Sequence, residues 1–238
     1  MSTSPPPRSL RARLQRHAVL AYFVLTFAIS WGAIVAAFGL GPIPPEQLAA
    51  RGAIVYVSLL LGPSVAGTCM IGLVAGREGF AELRGRLLAW RRSPRWYAVA
   101  LLLAPLSLCA VLLVLSRGLG LVPDVFVAEG LGSRLLTGVG AGLVVALCEE
   151  TGWTGFAVPR LRARRSVLTT GVVVGLVWGA WHFPPFWEHD TLAEPVALGL
   201  LLARLFSWLP AFRVLMVWVH DRTQSFWAVV LMHAPLAA

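Results

Sequence analysis

Long apolar runs alternate with short polar stretches from one end of the chain to the other. A bilayer core needs about 20 apolar residues of helix. Runs of roughly that kind cover 18–40, 53–75, 96–116, 135–158, 167–187, 195–219 and 225 to the last residue. Pro210 lies inside the sixth run. It has no N–H to donate, so it should kink or break that helix. The pattern predicts an all-α fold, a polytopic membrane helix bundle with seven or eight transmembrane segments. The eighth arises if the sixth run is two short helices. The first run is too long for the apolar region of a signal peptide and reads as a retained span. Residues 1–16 read as a basic N-terminal tail, mobile where Pro5, Pro6 and Pro7 lie. Residues 17–238 read as one transmembrane domain, with no internal repeat.

Composition strengthens the membrane reading. The 238 residues are 58% hydrophobic and 13% charged, with mean hydropathy +0.75. Soluble domains carry about a quarter charged residues, so a soluble, disordered, collagenous or coiled-coil chain is excluded. All 20 basic residues are Arg, against 11 acidic ones. A net charge of +9 could suggest nucleic acid, but these Arg residues sit between apolar runs and report topology instead. Arg8, Arg11, Arg13 and Arg16 precede the first run. Arg77, Arg84, Arg86, Arg91, Arg92 and Arg95 fill the 76–95 loop, and Arg160, Arg162, Arg164 and Arg165 the 159–166 loop. The alternate loops hold Glu46, Asp124, Glu129, Glu188, Asp190 and Glu194. The positive-inside rule therefore predicts a multi-pass protein with a cytoplasmic N-terminus; in a prokaryote the membrane is the plasma membrane. Cys69, Cys109 and Cys148 lie in apolar runs without a C-x-x-C pair and read as packing residues.

The informative polar groups are those inside the runs, where an ionisable side chain is costly and points to function by default. Glu149 and Glu150 are adjacent in the fourth run, His182 lies in the fifth and His233 in the last. Arg204 and Arg213 flank the expected break in the sixth. A carboxylate in an apolar setting can act as a general base near neutral pH. Imidazole can bind a metal, stabilise an oxyanion or shuttle a proton. One Glu and two His from three helices could surround one water, or could hold zinc with a fourth position open. Either arrangement would hydrolyse an amide. Neighbouring helical residues point about 100° apart, so one Glu should act on substrate and the other brace the site. At 1.5 Å per residue the depths are about 13 Å for Glu149, about 15 Å for His233 and about 22 Å for His182, loosely one layer. The bland readings stand beside these. The His residues would be interhelical hydrogen-bonding groups, and Trp153, Trp178, Trp181 and Trp187 interfacial anchors. Arg204 and Arg213 would snorkel or pair with loop acids.

The string Glu149-Glu-Thr-Gly-Trp-Thr-Gly-Phe-Ala-Val-Pro-Arg-Leu161 resembles the first motif of the CAAX prenyl protease and bacteriocin-processing family of intramembrane endopeptidases, also called the Abi family. That motif is Glu-Glu-x-x-x-Arg, commonly followed by Gly and an aromatic residue. Trp178-Gly-Ala-Trp-His182-Phe-Pro184 resembles the second motif, with Trp178 in place of its phenylalanine. His233 matches the histidine of the third, His-x-x-x-Asn or Asp. Gly62-Pro63-Ser64 and Trp218-Val-His-Asp-Arg-Thr223 are also similar to the family. Two positions depart: the family's Arg falls at Thr154, and its Asn at Ala237.

The resemblance implies that Glu149 activates the attacking water, Glu150 supports it, and His182 and His233 bind a metal or stabilise the oxyanion. Trp153 and Trp178 support the site. Any metal, zinc for instance, would be held by Glu149, His182 and His233; a metal-free glutamate–histidine mechanism is equally open. The substrate implied is a membrane-associated peptide, CAAX-like and prenylated or of bacteriocin type. The partners are that peptide and the lipid bilayer, with no nucleic acid. No His-Glu-x-x-His, Gly-x-Ser-x-Gly or Gly-x-Gly-Asp string is present, which speaks against thermolysin-like, rhomboid-type and intramembrane aspartyl sites. Two other classes use the same residues. Thr154 and Ala237 suit a weak or inactive family member acting as an immunity or scaffold protein. The Glu pair suits a small proton-coupled transporter, though such proteins commonly carry repeats.

Overall fold

The computed structural model describes residues 14–119, 131–188 and 191–237. The predicted mobile stretch 1–9, and Asp124, Glu129 and Asp190, lie outside the described residues. Every regular element is helical. In chain order they are α1 (Ala18–Phe38), α2 (Pro45–Val74), α3 (Gly76–Leu88), α4 (Pro94–Leu119) and α5 (Leu131–Gly152). A π-helical turn (Trp153–Ala157) continues α5 into α6 (Val158–Arg162). Then come α7 (Val167–Trp181), α8 (Phe183–Phe186), α9 (Pro195–Phe206), α10 (Trp208–Thr223), α11 (Phe226–His233) and a closing 3₁₀ turn (Ala234–Leu236).

Among the described residues, four helical stretches are long and apolar enough to cross a membrane: Ala18–Phe38, Pro45–Val74, Pro94–Val114 and Pro195–Thr223. Val167–Trp181 and Phe226–Leu236 are apolar but shorter. α4 exposes Leu101, Leu102, Leu106, Leu108, Val111 and Leu113, an apolar face that suits lipid and not water. The protein is thus a polytopic helical membrane protein. The fifth run was expected to reach 187, but α7 stops at Trp181. Pro184 and Pro185 follow at once; they have no N–H to bond the carbonyls of Ala180 and Trp181 and their rings clash there, so the ladder stops and the prolines instead fall in the first turn of α8. The sixth run breaks at Ser207, three residues ahead of Pro210. The proline ring clashes with the carbonyl four residues earlier, that of Phe206, so Pro210 itself sits comfortably in the first turn of α10. The 76–95 stretch, read as a loop, contains α3, where Arg86 pairs with Glu82 at 3.5 Å.

Small residues set the spacing of the helices around the future site. Gly62 of α2 packs on Ser30 of α1, and the Ser30 hydroxyl donates to the Ser58 carbonyl at 2.9 Å. A Cβ on Gly152 of α5 would come within 2.2 Å of the Pro63 carbonyl oxygen and 2.4 Å of the Tyr22 hydroxyl. The Ser64 hydroxyl donates to the Cys148 carbonyl at 2.9 Å. Gly62-Pro63-Ser64 is therefore the surface that holds the end of α5 in place. On the other side Gly171, Gly175 and Gly179, one per turn, bring α7 against Val214, Pro210 and Leu205. Between these two close contacts lie Trp153, Trp178 and Trp181, all buried. They are core residues and not interfacial anchors. The three cysteines are free; Cys69 is exposed and the others half-buried.

Candidate active site

Glu149 and Glu150 end α5, just before the π turn. Both are buried, and they face different partners, as the 100° step requires. Glu149 lines a cavity of about 810 Å³ together with Trp178, His182 and His233. Glu150 stands behind it and does not line it.

Glu150 is held from three sides. Arg213 of α10, with no exposed surface, donates through Nη1 to Oε1 at 2.8 Å and Oε2 at 2.9 Å. The Thr154 hydroxyl, one turn along, donates to Oε2 at 2.5 Å. His233 Nδ1 lies 2.8 Å from Oε1; a carboxylate oxygen accepts, so Nδ1 carries the proton. That bond fixes the ring and turns Nε2 toward Glu149, 4.0 Å from its Oε2. A buried carboxylate so placed orients its histidine as the carboxylate of a hydrolase triad does.

Glu149 accepts a hydrogen bond from the Trp178 indole, Nε1 to Oε2 at 2.8 Å. Trp178 is also the spacer of the site. Its ring lies 5.3 Å from that of His182 and 5.2 Å from that of His233. The Arg213 guanidinium lies over the Trp178 ring, Cζ 4.2 Å from its centroid. Such a cation over indole is attracted by the ring quadrupole. His182 caps α7, and its Nδ1 donates to the Trp178 carbonyl at 2.8 Å. That bond leaves Nε2 as the ring nitrogen free for other partners. Trp181, packed at 4.7 Å against His182, accepts through its own carbonyl from Trp31 Nε1 at 3.0 Å. The helix end that carries His182 is therefore pinned from α1.

Four sequence-predicted residues, Glu149, Glu150, His182 and His233, thus gather within one buried neighbourhood, and three of them face the cavity. Trp178 contacts Glu149 directly; Trp153 lies in the core beneath, against Tyr22 and Trp181. The zinc set does not fit the residues as they stand. Among the described residues no group of three or more His, Cys, Asp or Glu is arranged to hold a metal. His182 sits at a helix end one turn beyond Trp178, and the indole N–H occupies the Glu149 oxygen nearest His233.

Two features escaped the sequence. Arg213 does not snorkel or pair with a loop acid; it forms the buried ion pair with Glu150. A signal was present, since an apolar run with an unpaired Arg and another with a surplus Glu need each other. The π turn, a geometry frequent at functional sites, had no legible signal. Arg204 lines the cavity and has no ion pair among the described residues. Ala237, where an amide was expected, also lines the cavity. His220 is buried in α10, away from the cavity lining.

Comparison with known proteins bears on the same stretch of the chain. The profile of the type II CAAX prenyl endopeptidase Rce1-like family matches residues 131–236, which include all four site residues and Arg213. CAAX prenyl protease 2 of Methanococcus maripaludis is 40% identical over 49 residues, 21% of this chain. The match spans 18% of that relative's length. No solved structure matches. The motifs at 149–161 and 178–184 lie within the matched stretch, and over 131–236 the chain is similar to the Rce1-like type II CAAX prenyl endopeptidase family.

Proposed function

We propose that the protein is an intramembrane endopeptidase that hydrolyses a peptide bond near the end of a membrane-associated peptide, CAAX-like and prenylated or of bacteriocin type. The observation that carries this reading is the single cavity shared by Glu149, His182 and His233, with Glu150 braced behind them. Glu149 takes a proton from water, and the hydroxide adds to the scissile carbonyl carbon. The same carboxyl returns the proton to the amine as the C–N bond breaks, so proton balance closes on one residue. A histidine Nε2, as imidazolium, donates to the oxyanion. Among the described residues no three-ligand set forms, and water activation is assigned to the Glu149 carboxylate itself.

The membrane frame of this reading has seven or eight segments, with the N-terminus and the Arg-rich loops cytoplasmic. The helix ends at 14–16, 76–95, 159–166 and 221–225 share one side through Gln15 to the Val74 carbonyl, Arg162 to Asp221 and Trp227 to the Leu87 carbonyl. That grouping supports the alternation of loops.

The deciding measurement compares peptide termini in membranes carrying the wild type and Glu149→Ala at equal expression. New termini dependent on Glu149 are expected. Matching profiles would remove the protease reading and favour a non-catalytic immunity or scaffold role, for which Ala237 at the cavity wall is the specific support.

A further inference from the structure

Among the described residues the cavity carries one permanent cation in a wall that is otherwise largely aliphatic and aromatic. Arg204 lies in the last turn of α9, about 14 Å along the helix from Pro195. Its guanidinium carbon stacks 3.8 Å from the Phe186 ring centroid. Among the described residues no carboxylate lies within 4.0 Å of it. Arg213, nine residues further along the same candidate span, has its carboxylate in Glu150. Phe186 in turn lies 6.3 Å from the His182 ring. A cation that faces a cavity within a candidate span, with no carboxylate beside it among the described residues, can take an anion from outside.

We propose that Arg204 is the subsite for the free C-terminal carboxylate of the bound peptide. The inference rests on the endopeptidase reading for the identity of the ligand. A guanidinium presents paired donors that match a carboxylate. The stacked Phe186 holds the guanidinium plane while leaving its N–H edge free. Arg204 lies no further from His182 than the two ring distances laid end to end, a reach that about three residues of extended chain cover at about 3.4 Å each. A carboxylate on Arg204 would therefore hold a bond close to the terminus beside Glu149 and His182. Specificity arises because a chain continuing past this point, or one ending in an amide, leaves Arg204 unpaired.

The test separates binding from turnover. Glu149→Ala protein in phosphatidylcholine nanodiscs is titrated with a fluorescent, farnesylated CAAX peptide, made as the free acid and as the C-terminal amide. The acid is expected to bind at least tenfold tighter than the amide. In Glu149→Ala/Arg204→Gln the acid should weaken to the level of the amide, with amide binding unchanged, and Arg204→Lys should restore part of the preference. Equal binding of the two forms, no binding of either, or a preference that survives Arg204→Gln would overturn the assignment. So would loss of both forms together. A preference abolished in phosphatidylglycerol nanodiscs alone would assign Arg204 to a lipid phosphate instead. If the acid preference holds while wild-type membranes show no proteolysis, the carboxylate subsite stands and the protease reading falls.

Discussion

Glu150 and Arg213 show how much one buried pair can decide. Each is fully enclosed, and each would be intolerable alone in this setting. Glu150→Gln keeps the shape but leaves the guanidinium without its counter-charge. Breaking a buried pair from one side costs about 3–5 kcal/mol, so a large fall in thermal midpoint is expected for the detergent-purified protein. Replacing both partners, Glu150→Leu with Arg213→Leu, should recover much of that loss, because an apolar pair carries no desolvation penalty. A double replacement as unstable as the single one would contradict this account. The pair also explains how the chain tolerates Thr154 at the family's Arg position. A guanidinium reaches Glu150 from another helix, and the Thr154 hydroxyl adds a bond of its own.

Trp178 belongs to the same scale. Its indole N–H is the hydrogen bond that aims Glu149. Trp178→Phe keeps the ring and removes that donor. A hydrogen bond to a charged group contributes about 1.5–3 kcal/mol, so kcat is expected to fall about ten- to hundredfold while KM moves little. Steady-state cleavage of the farnesylated peptide reads both. An unchanged kcat would show that the indole merely packs.

Among elements, the end of α5 matters most. It is pressed into a slot formed by α1 and α2, and Gly152 is the point of closest approach. Gly152→Ala is expected to lower the yield of monodisperse protein and its thermal midpoint, since its Cβ would overlap the Pro63 carbonyl and the Tyr22 hydroxyl. Gly140 on the same helix faces open space. Gly140→Ala should be neutral or slightly stabilising, as Ala exceeds Gly in helix propensity by about 1 kcal/mol. The two variants together separate packing from propensity. α7 shows the reverse economy. It ends early, at Trp181, and that early end is what places His182 at a helix terminus with its Nδ1 on the Trp178 carbonyl.

For the whole molecule, the open question of orientation has a direct measurement. In a variant lacking Cys69, Cys109 and Cys148, Ser93→Cys and Glu194→Cys each introduce one thiol at an exposed position. An impermeant maleimide applied to intact cells should label Glu194→Cys and spare Ser93→Cys until the inner face is opened. The opposite labelling would invert the proposed topology. With this topology, Arg204 and the first turns of α2 that line the cavity belong to the Arg-poor half of the bundle.

The linear chain determined the class of the protein and singled out the polar groups that the fold gathers at the cavity. Apolar runs can end only in a bilayer or a core, and at this composition the bilayer follows. Glu149, Glu150, His182 and His233 were legible because charge within an apolar run is expensive and conspicuous, and the motif strings around them are specific. The helix count was less legible: where prolines and helix breaks fall depends on backbone sterics one residue at a time, and apolar stretches continue past them. Only the tertiary structure decided which Glu faces the cavity, since adjacent helical positions differ by an angle that hydropathy does not record. It alone brought Arg213 to Glu150, because the partners of a buried charge lie on helices far apart in sequence. It also set Arg204 at the cavity wall, where no carboxylate among the described residues pairs with it.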